Sequence, residues 1–142
     1  MDIACCSYDI KNKKLNYAGA NNPIYLVRKV GEEYQLMETP ADKQPVAYYI
    51  NMTDFTNNVI EIQPGDTVYI FSDGFRDQFG GPSGKKFMKK NFQTMFLENQ
   101  KLSMYEQQCV YEKVFHDWIH YADSEDHHIG QIDDILILGV RF

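Results

Sequence analysis

The chain has no surplus of positive charge. Fourteen Lys and Arg stand against twenty Asp and Glu, for a formal net charge of −6 over 142 residues. With no basic stripe interleaved with aromatics, that balance excludes generic nucleic-acid binding. No apolar run approaches the roughly 20 residues that a membrane helix needs. The N-terminus lacks the basic-then-apolar pattern of a signal peptide. Cysteine is scarce: Cys5, Cys6 and Cys109 are the three in the chain. They cannot form a disulfide framework, and no C-x-x-C pair occurs. They read as free thiols of a reducing cytoplasm, each expected at a small buried position. Internal repeats and low-complexity segments are also lacking. What remains is 44% apolar and 14% aromatic, a composition that folds, with length for one core and not for two domains.

Two acidic stretches stand out. One is Tyr69-Ile70-Phe71-Ser72-Asp73-Gly74-Phe75 and the other Gln131-Ile132-Asp133-Asp134-Ile135-Leu136-Ile137-Leu138. Each sets carboxylates at one end of an apolar, β-branched run that reads as a buried strand. A carboxylate at the mouth of a buried strand is costly unless compensated, and a hard divalent cation is one such partner. Two of them, from distant parts of the chain, suggest a shared metal site. Taken singly, Asp73 reads as a strand-end turn residue and the Asp133-Asp134 pair as a solvated strand start; together the metal reading is the stronger.

Alternation and turn residues predict strands over 3–10, 15–20, 24–30, 34–37, 46–50, 59–62, 67–71 and 135–142. The turns between them fall at 11–14, Asn21-Asn22-Pro23, 31–33 and Pro64-Gly65-Asp66, and residues 80–84 form a loop. Two helices precede the last strand. Met88, Phe92, Met95 and Phe96 share one face of the first. The second starts with a Ser103-x-x-Glu106 capping box and carries a stripe of Tyr111, Val114, Phe115, Trp118 and Ala122. Strands first, helices together and a late strand returning to the sheet give an α+β fold with mostly antiparallel pairing.

The ordered set of motifs resembles the metal-dependent protein phosphatases of the PPM type (protein phosphatase 2C-like), in the bacterial SpoIIE-like branch of sporulation and stress-response enzymes. Residues 65–74 resemble the family's "GD…SDG" stretch and 131–140 its final acidic strand. Residues 15–23 resemble the branch's "YAGAGHNP" strand and turn, and 85–96 the helix after "SDG". The likeness covers nearly the whole chain. The family's first metal motif, an aspartate in a D-x-x-GHG-type stretch, has no counterpart here. The resemblance therefore implies that residues 1–142 form the C-terminal part of a single phosphatase domain. It implies a mostly antiparallel β-sandwich flanked by helices, incomplete at the N-terminal side.

The same resemblance implies a site. Asp73 and Asp133 are the expected metal ligands. Gly74, Asp77 and Asp134 are the further candidates, for an additional metal or for support of the ligands. No side chain is the nucleophile; a water bridging two Mn²⁺ or Mg²⁺ ions attacks phosphorus in line. The expected activity is hydrolysis of phosphoserine or phosphothreonine on a regulatory protein in cytoplasmic bacterial signalling, with this piece alone inactive or nearly so. Its partner is a phosphorylated regulatory protein, and homo-oligomers are expected. The alternative is a non-catalytic partner-binding module that keeps the fold.

Other candidates have plainer readings. His127-His128 lies in a polar loop over 123–130 without Cys or His at zinc-ligand spacing, and Gly130 is misplaced for an EF-hand. Lys85, Lys86, Lys89 and Lys90 form a solvated helix face, or a docking patch for a phosphorylated partner. Ser7, Ser72 and Cys109 have no base in a recognisable arrangement.

Overall fold

A computed structural model describes residues 1–48, 50–121 and 130–142. Tyr49, Ala122 and the histidine pair His127-His128 lie outside the described residues, as does most of the predicted 123–130 loop. In chain order the elements begin with β1 (Ile3–Asp9), β2 (Lys14–Ala20), β3 (Ile24–Val30), β4 (Glu33–Thr39), β5 (Asn58–Glu61) and β6 (Thr67–Phe71). They continue with α1 (Gly74–Asp77), β7 (Phe79–Gly80), β8 (Lys85–Lys86), α2 (Met88–Glu98), α3 (Met104–Ile119) and β9 (Ile137–Arg141). All pairs of these strands are antiparallel, which together with the helices confirms the α+β class. The chain divides into two compact units, Met1–Phe71 with Ile137–Phe142, and Ser72–Leu136.

The first unit holds two sheets, with strand orders β1-β2-β5 and β4-β3-β6-β9. Leu15 and Tyr17 of β2 pack with Ile24 and Leu26 of β3, Val68 of β6 and Ile62 in one buried cluster. Alternation decides which side chains enter it, because successive residues of a strand face opposite ways. The turns follow local chemistry. The Asp9 carboxylate accepts the amides of Lys11 at 2.9 Å and Asn12 at 3.1 Å, closing the β1–β2 turn. Asn21 takes the left-handed conformation, φ 55°, as its place in the Asn21-Asn22-Pro23 turn predicts. A partly buried ion pair holds the turn before β6. Asp66 is 1% exposed, and its two oxygens accept Arg28 Nε at 2.9 Å and Nη2 at 2.6 Å. The same carboxylate accepts the Gln63 amide at 2.8 Å, and Arg28 also donates to the Glu61 carbonyl.

One inner surface of this unit stays open. Leu138 and Val140 pair with Ile70 and Val68 across the β6–β9 ladder. Direct partners share a face, and Val68 belongs to the buried cluster with Ile70 packed against it. Yet Leu138 is 51% and Val140 45% exposed. Apolar side chains on the core face of an edge strand favour burial against another chain. Residues 1–142 on their own are therefore expected to form dimers or larger species, and Leu138→Lys with Val140→Lys to shift them toward monomer. Light scattering over a range of concentrations checks this; a strictly monomeric parent fragment would contradict it.

The structure departs from the sequence reading at several places. No strand forms among the described residues of 46–50, which lie in bends and turns. The last strand begins at Ile137, two residues later than predicted. The 80–84 loop is the turn of a short hairpin, β7 with β8. Cys5, Cys6 and Cys109 are free as expected but exposed rather than buried; β1 is an edge strand, so its small residues find little cover.

In the second unit, Phe92, Met95 and Phe96 form the buried face of α2. Met88, predicted to share it, starts the helix in a left-handed conformation, φ 74°, and points to solvent. Phe75 sits among Phe87, Phe92 and Phe115, ring centroids 5.1–5.4 Å away. The Ser103–Glu106 capping box of α3 is formed. Its stripe is followed as far as it is described: Tyr111 is buried and Val114, Phe115 and Trp118 half-buried.

Candidate metal centre

The four candidate aspartates all belong to the second unit. The chain leaves β6 at Phe71 and turns at Ser72-Asp73 into the single-turn α1. Asp73 occupies the residue before that helix. An aspartate there usually accepts an N–H of the first turn, but Asp73 makes no such bond, its backbone being helical (φ −79°, ψ −14°) rather than extended. Its carboxylate is half-buried, and no described residue gives it a hydrogen bond or ion pair. A half-buried carboxylate that neither caps nor pairs leaves its charge available to a cation.

Two side chains bind the 130–136 segment alongside. The Ser72 hydroxyl donates to the Asp134 carbonyl at 2.8 Å and accepts the Leu136 amide at 2.9 Å. The Ser72 amide donates to the Leu136 carbonyl at 3.0 Å. Gln78, fully buried, does the same further along. Its Nε2 donates to the Gly130 carbonyl at 3.0 Å, and its Oε1 accepts the Ile132 amide at 3.2 Å. Neither role shows in the sequence, where Ser72 is a hydroxyl without a base in a recognisable arrangement. A glutamine directly after a short helix, before a Gly-rich turn, offers no periodic signal of burial.

Gly74 allows the segment to come close. A Cβ added there would overlap the Asp134 carbonyl oxygen and lie 3.1 Å from the Asp134 carbonyl carbon and 3.2 Å from Ile135 Cγ1. Backbone cannot yield as a flexible side chain does, so Gly74→Ala is expected to destabilise the chain by about 1–3 kcal/mol. Thermal unfolding measures this, and an unchanged melting temperature would show that the 134–135 backbone gives way freely.

Asp133 and Asp134 are exposed. The Asp133 carboxylate accepts the Asp134 amide at 2.8 Å, and its carbonyl accepts Gln131 Nε2 at 2.8 Å. The structure thus brings the backbone of Asp134 against Gly74, next to Asp73 in the chain. Asp77 has a different environment: Lys86 Nζ lies 3.2 Å from its carboxylate, so an ammonium already offsets the charge that would attract an additional metal. The donors on offer are all oxygens, which suits Mg²⁺ or Mn²⁺ rather than zinc. Among the described residues, no group of three or more His, Cys, Asp and Glu is gathered closely enough to hold an ion. No helix among them is long and apolar enough to cross a membrane.

No curated protein matches the chain. Among solved structures it is similar to the SiaA-PP2C domain of Pseudomonas aeruginosa, at 27% identity and a TM-score of 0.77, over 94% of this chain and 48% of that one. It also shares the fold of the phosphatase domain of the cell fate determinant SpoIIE from Bacillus subtilis, at 17% identity and a TM-score of 0.60, over 99% of this chain and 57% of that one. A longer structure of that protein, with a fragment of its regulatory domain, aligns at 17% identity and a TM-score of 0.66, over 99% and 37%. The chain therefore spans about half, or less, of the length of these structures. The family model described as Stage II sporulation protein E (SpoIIE) matches residues 1–142, and the chain belongs to that family.

Proposed function

We propose that residues 1–142 are the C-terminal part of a single PPM-type phosphatase domain whose intact protein hydrolyses phosphoserine or phosphothreonine on a regulatory protein in bacterial cytoplasmic signalling. The observation that carries the proposal is the Asp73 carboxylate, half-buried at a strand mouth, with no helix cap to make. Family membership and the similarity to the SiaA-PP2C domain and the SpoIIE phosphatase domain support it.

In this reading Asp73 and Asp133 ligate the metal, and Mn²⁺ or Mg²⁺ fits their hard oxygen donors. Bound there, such ions would neutralise the phosphate ester and would activate water for attack. The chain's own residues set the frame for that chemistry. Ser72 and Gln78 hold the Asp133 segment, Gly74 lets it approach, and Asp134 supports the site through its backbone. Asp77, paired with Lys86, contributes to a further metal only if that pair opens. Two acidic ligands form part of a set, and the remainder comes from the rest of the domain.

The test compares the intact protein with residues 1–142. The intact protein is expected to dephosphorylate phosphoserine or phosphothreonine substrates with Mn²⁺ or Mg²⁺ and to stop on chelation. The fragment is expected to be inactive or nearly so, and to bind Mn²⁺ weakly because an incomplete ligand set leaves the ion under-coordinated. Robust turnover by the fragment, or a sub-micromolar Mn²⁺ site in calorimetry, would contradict the proposed division of the domain. No metal-dependent activity in the intact protein would favour the non-catalytic partner-binding module.

A further inference from the structure

We infer that Gln78 is a positioning residue that sets the register of the Asp133 segment relative to Asp73. The inference rests on the reading of those two aspartates as metal ligands, and it concerns a residue outside the motifs that suggested them.

A carboxamide carries the same donor and acceptor as a peptide unit. Gln78 uses both on one stretch of backbone, donating to the carbonyl of Gly130 and accepting from the amide of Ile132. In an extended chain those two groups lie on one edge with a single residue between them. A parallel neighbour strand bonds the same spacing through the N–H and C=O of one residue, so the Gln78 carboxamide stands in for one residue of such a strand. Sliding the segment by one residue turns these groups to the other edge and breaks both bonds together. Ser72 repeats the arrangement four residues on, at the carbonyl of Asp134 and the amide of Leu136. Asp133 lies between the two clasps.

Gln78 is itself fixed from three sides. Its carbonyl accepts Trp118 Nε1 of α3 at 3.1 Å and the Phe87 amide before α2 at 2.9 Å. Its amide closes α1 onto the Phe75 carbonyl. Since α1 begins directly after Asp73, the Gln78 side chain leaves a short element anchored to one candidate ligand. It then grips the residue that precedes the other. Full burial of the side chain removes water as a competitor for these bonds, and a buried amide left unpaired is costly, so the grip is rigid.

The experiment uses the intact protein, with Mn²⁺ as the probe. Electron paramagnetic titration gives the Mn²⁺ affinity, and amide hydrogen exchange reports the segment without metal. Gln78→Met, of similar length but without either polar group, is expected to weaken Mn²⁺ binding by about tenfold or more, as loss of outer support of a ligand does. It should also speed exchange at the Ile132 amide more than at the Leu136 amide. Ser103→Ala serves as the control, because it removes the capping box of α3 and leaves both clasps and the bonds that fix Gln78 in place. It is expected to lower the melting temperature with Mn²⁺ affinity unchanged. Should Gln78→Met fail to fold, Gln78→Asn, one methylene too short to reach both partners, replaces it. Unchanged Mn²⁺ affinity in the folded variant, or an equal loss in Ser103→Ala, overturns the positioning role. Asp73→Asn separates the two failures. If it weakens Mn²⁺ binding while Gln78→Met does not, the inference alone fails; if neither does, the ligand reading fails with it.

Discussion

Asp73→Asn is expected to abolish metal-dependent dephosphorylation by the intact protein while leaving the fold in place. Replacing a group that merely supports a ligand typically costs 10- to 100-fold, so loss of a ligand should exceed about a hundredfold in kcat/KM. The structure makes this substitution unusually clean. Asp73 makes no cap hydrogen bond and has no ion-pair partner among the described residues. Asn keeps its shape and stays suited to a helix start, so only the charge is removed. The melting temperature should therefore move little, a change within about 0.5 kcal/mol. Assay of phosphoserine release beside a thermal melt checks both halves. Full activity in Asp73→Asn would remove Asp73 from the chemistry; lost activity together with a large loss of stability would make its role structural.

The largest stability effect is expected at the Arg28–Asp66 pair, which lies in the first unit. Asp66→Ala leaves the Arg28 guanidinium without its two-pronged partner and the Gln63 amide without its acceptor. Breaking a buried pair from one side costs about 3–5 kcal/mol, against a total stability of about 5–15 kcal/mol for a domain. The Arg28 side chain retains some access to water, which places the cost toward the lower end of that range. Removing both partners, as in Arg28→Met with Asp66→Leu, should be far milder because no buried charge remains. Urea unfolding of the single and double variants measures the difference. A single-variant loss below about 1 kcal/mol would mean that water replaces the carboxylate at Arg28.

Strand identity was largely legible in the sequence. The 24–30 and 67–71 strands have the predicted bounds, because continuous β-branched and aromatic runs ended by turn residues leave few alternatives. The Ser103–Glu106 capping box was legible for the same reason: its two bonds are local and its residues lie three apart. The edges were not. Residues 46–50 carry strand-like residues without forming a strand among those described, since pairing needs a neighbour that local sequence does not specify. Met88 matches the apolar spacing of α2, but its left-handed backbone aims it at solvent.

By itself the sequence determined the α+β class, the order of the longer strands and of the two long helices, and the candidate aspartates, all of which depend on local pattern. Only the tertiary structure revealed the partners. That Arg28 would meet Asp66, 38 residues away, or that Gln78 would grip Ile132, 54 residues away, has no local signature. Both are polar groups withdrawn from water, and a buried polar group must find its bonds wherever the fold brings a complementary one. Ser72, read from the sequence as a hydroxyl without a base, became a clasp on Asp134 and Leu136 for the same reason. Gly74 was a candidate in the sequence for support of the ligands, yet the fold alone decided that the backbone approaching it would be that of Asp134.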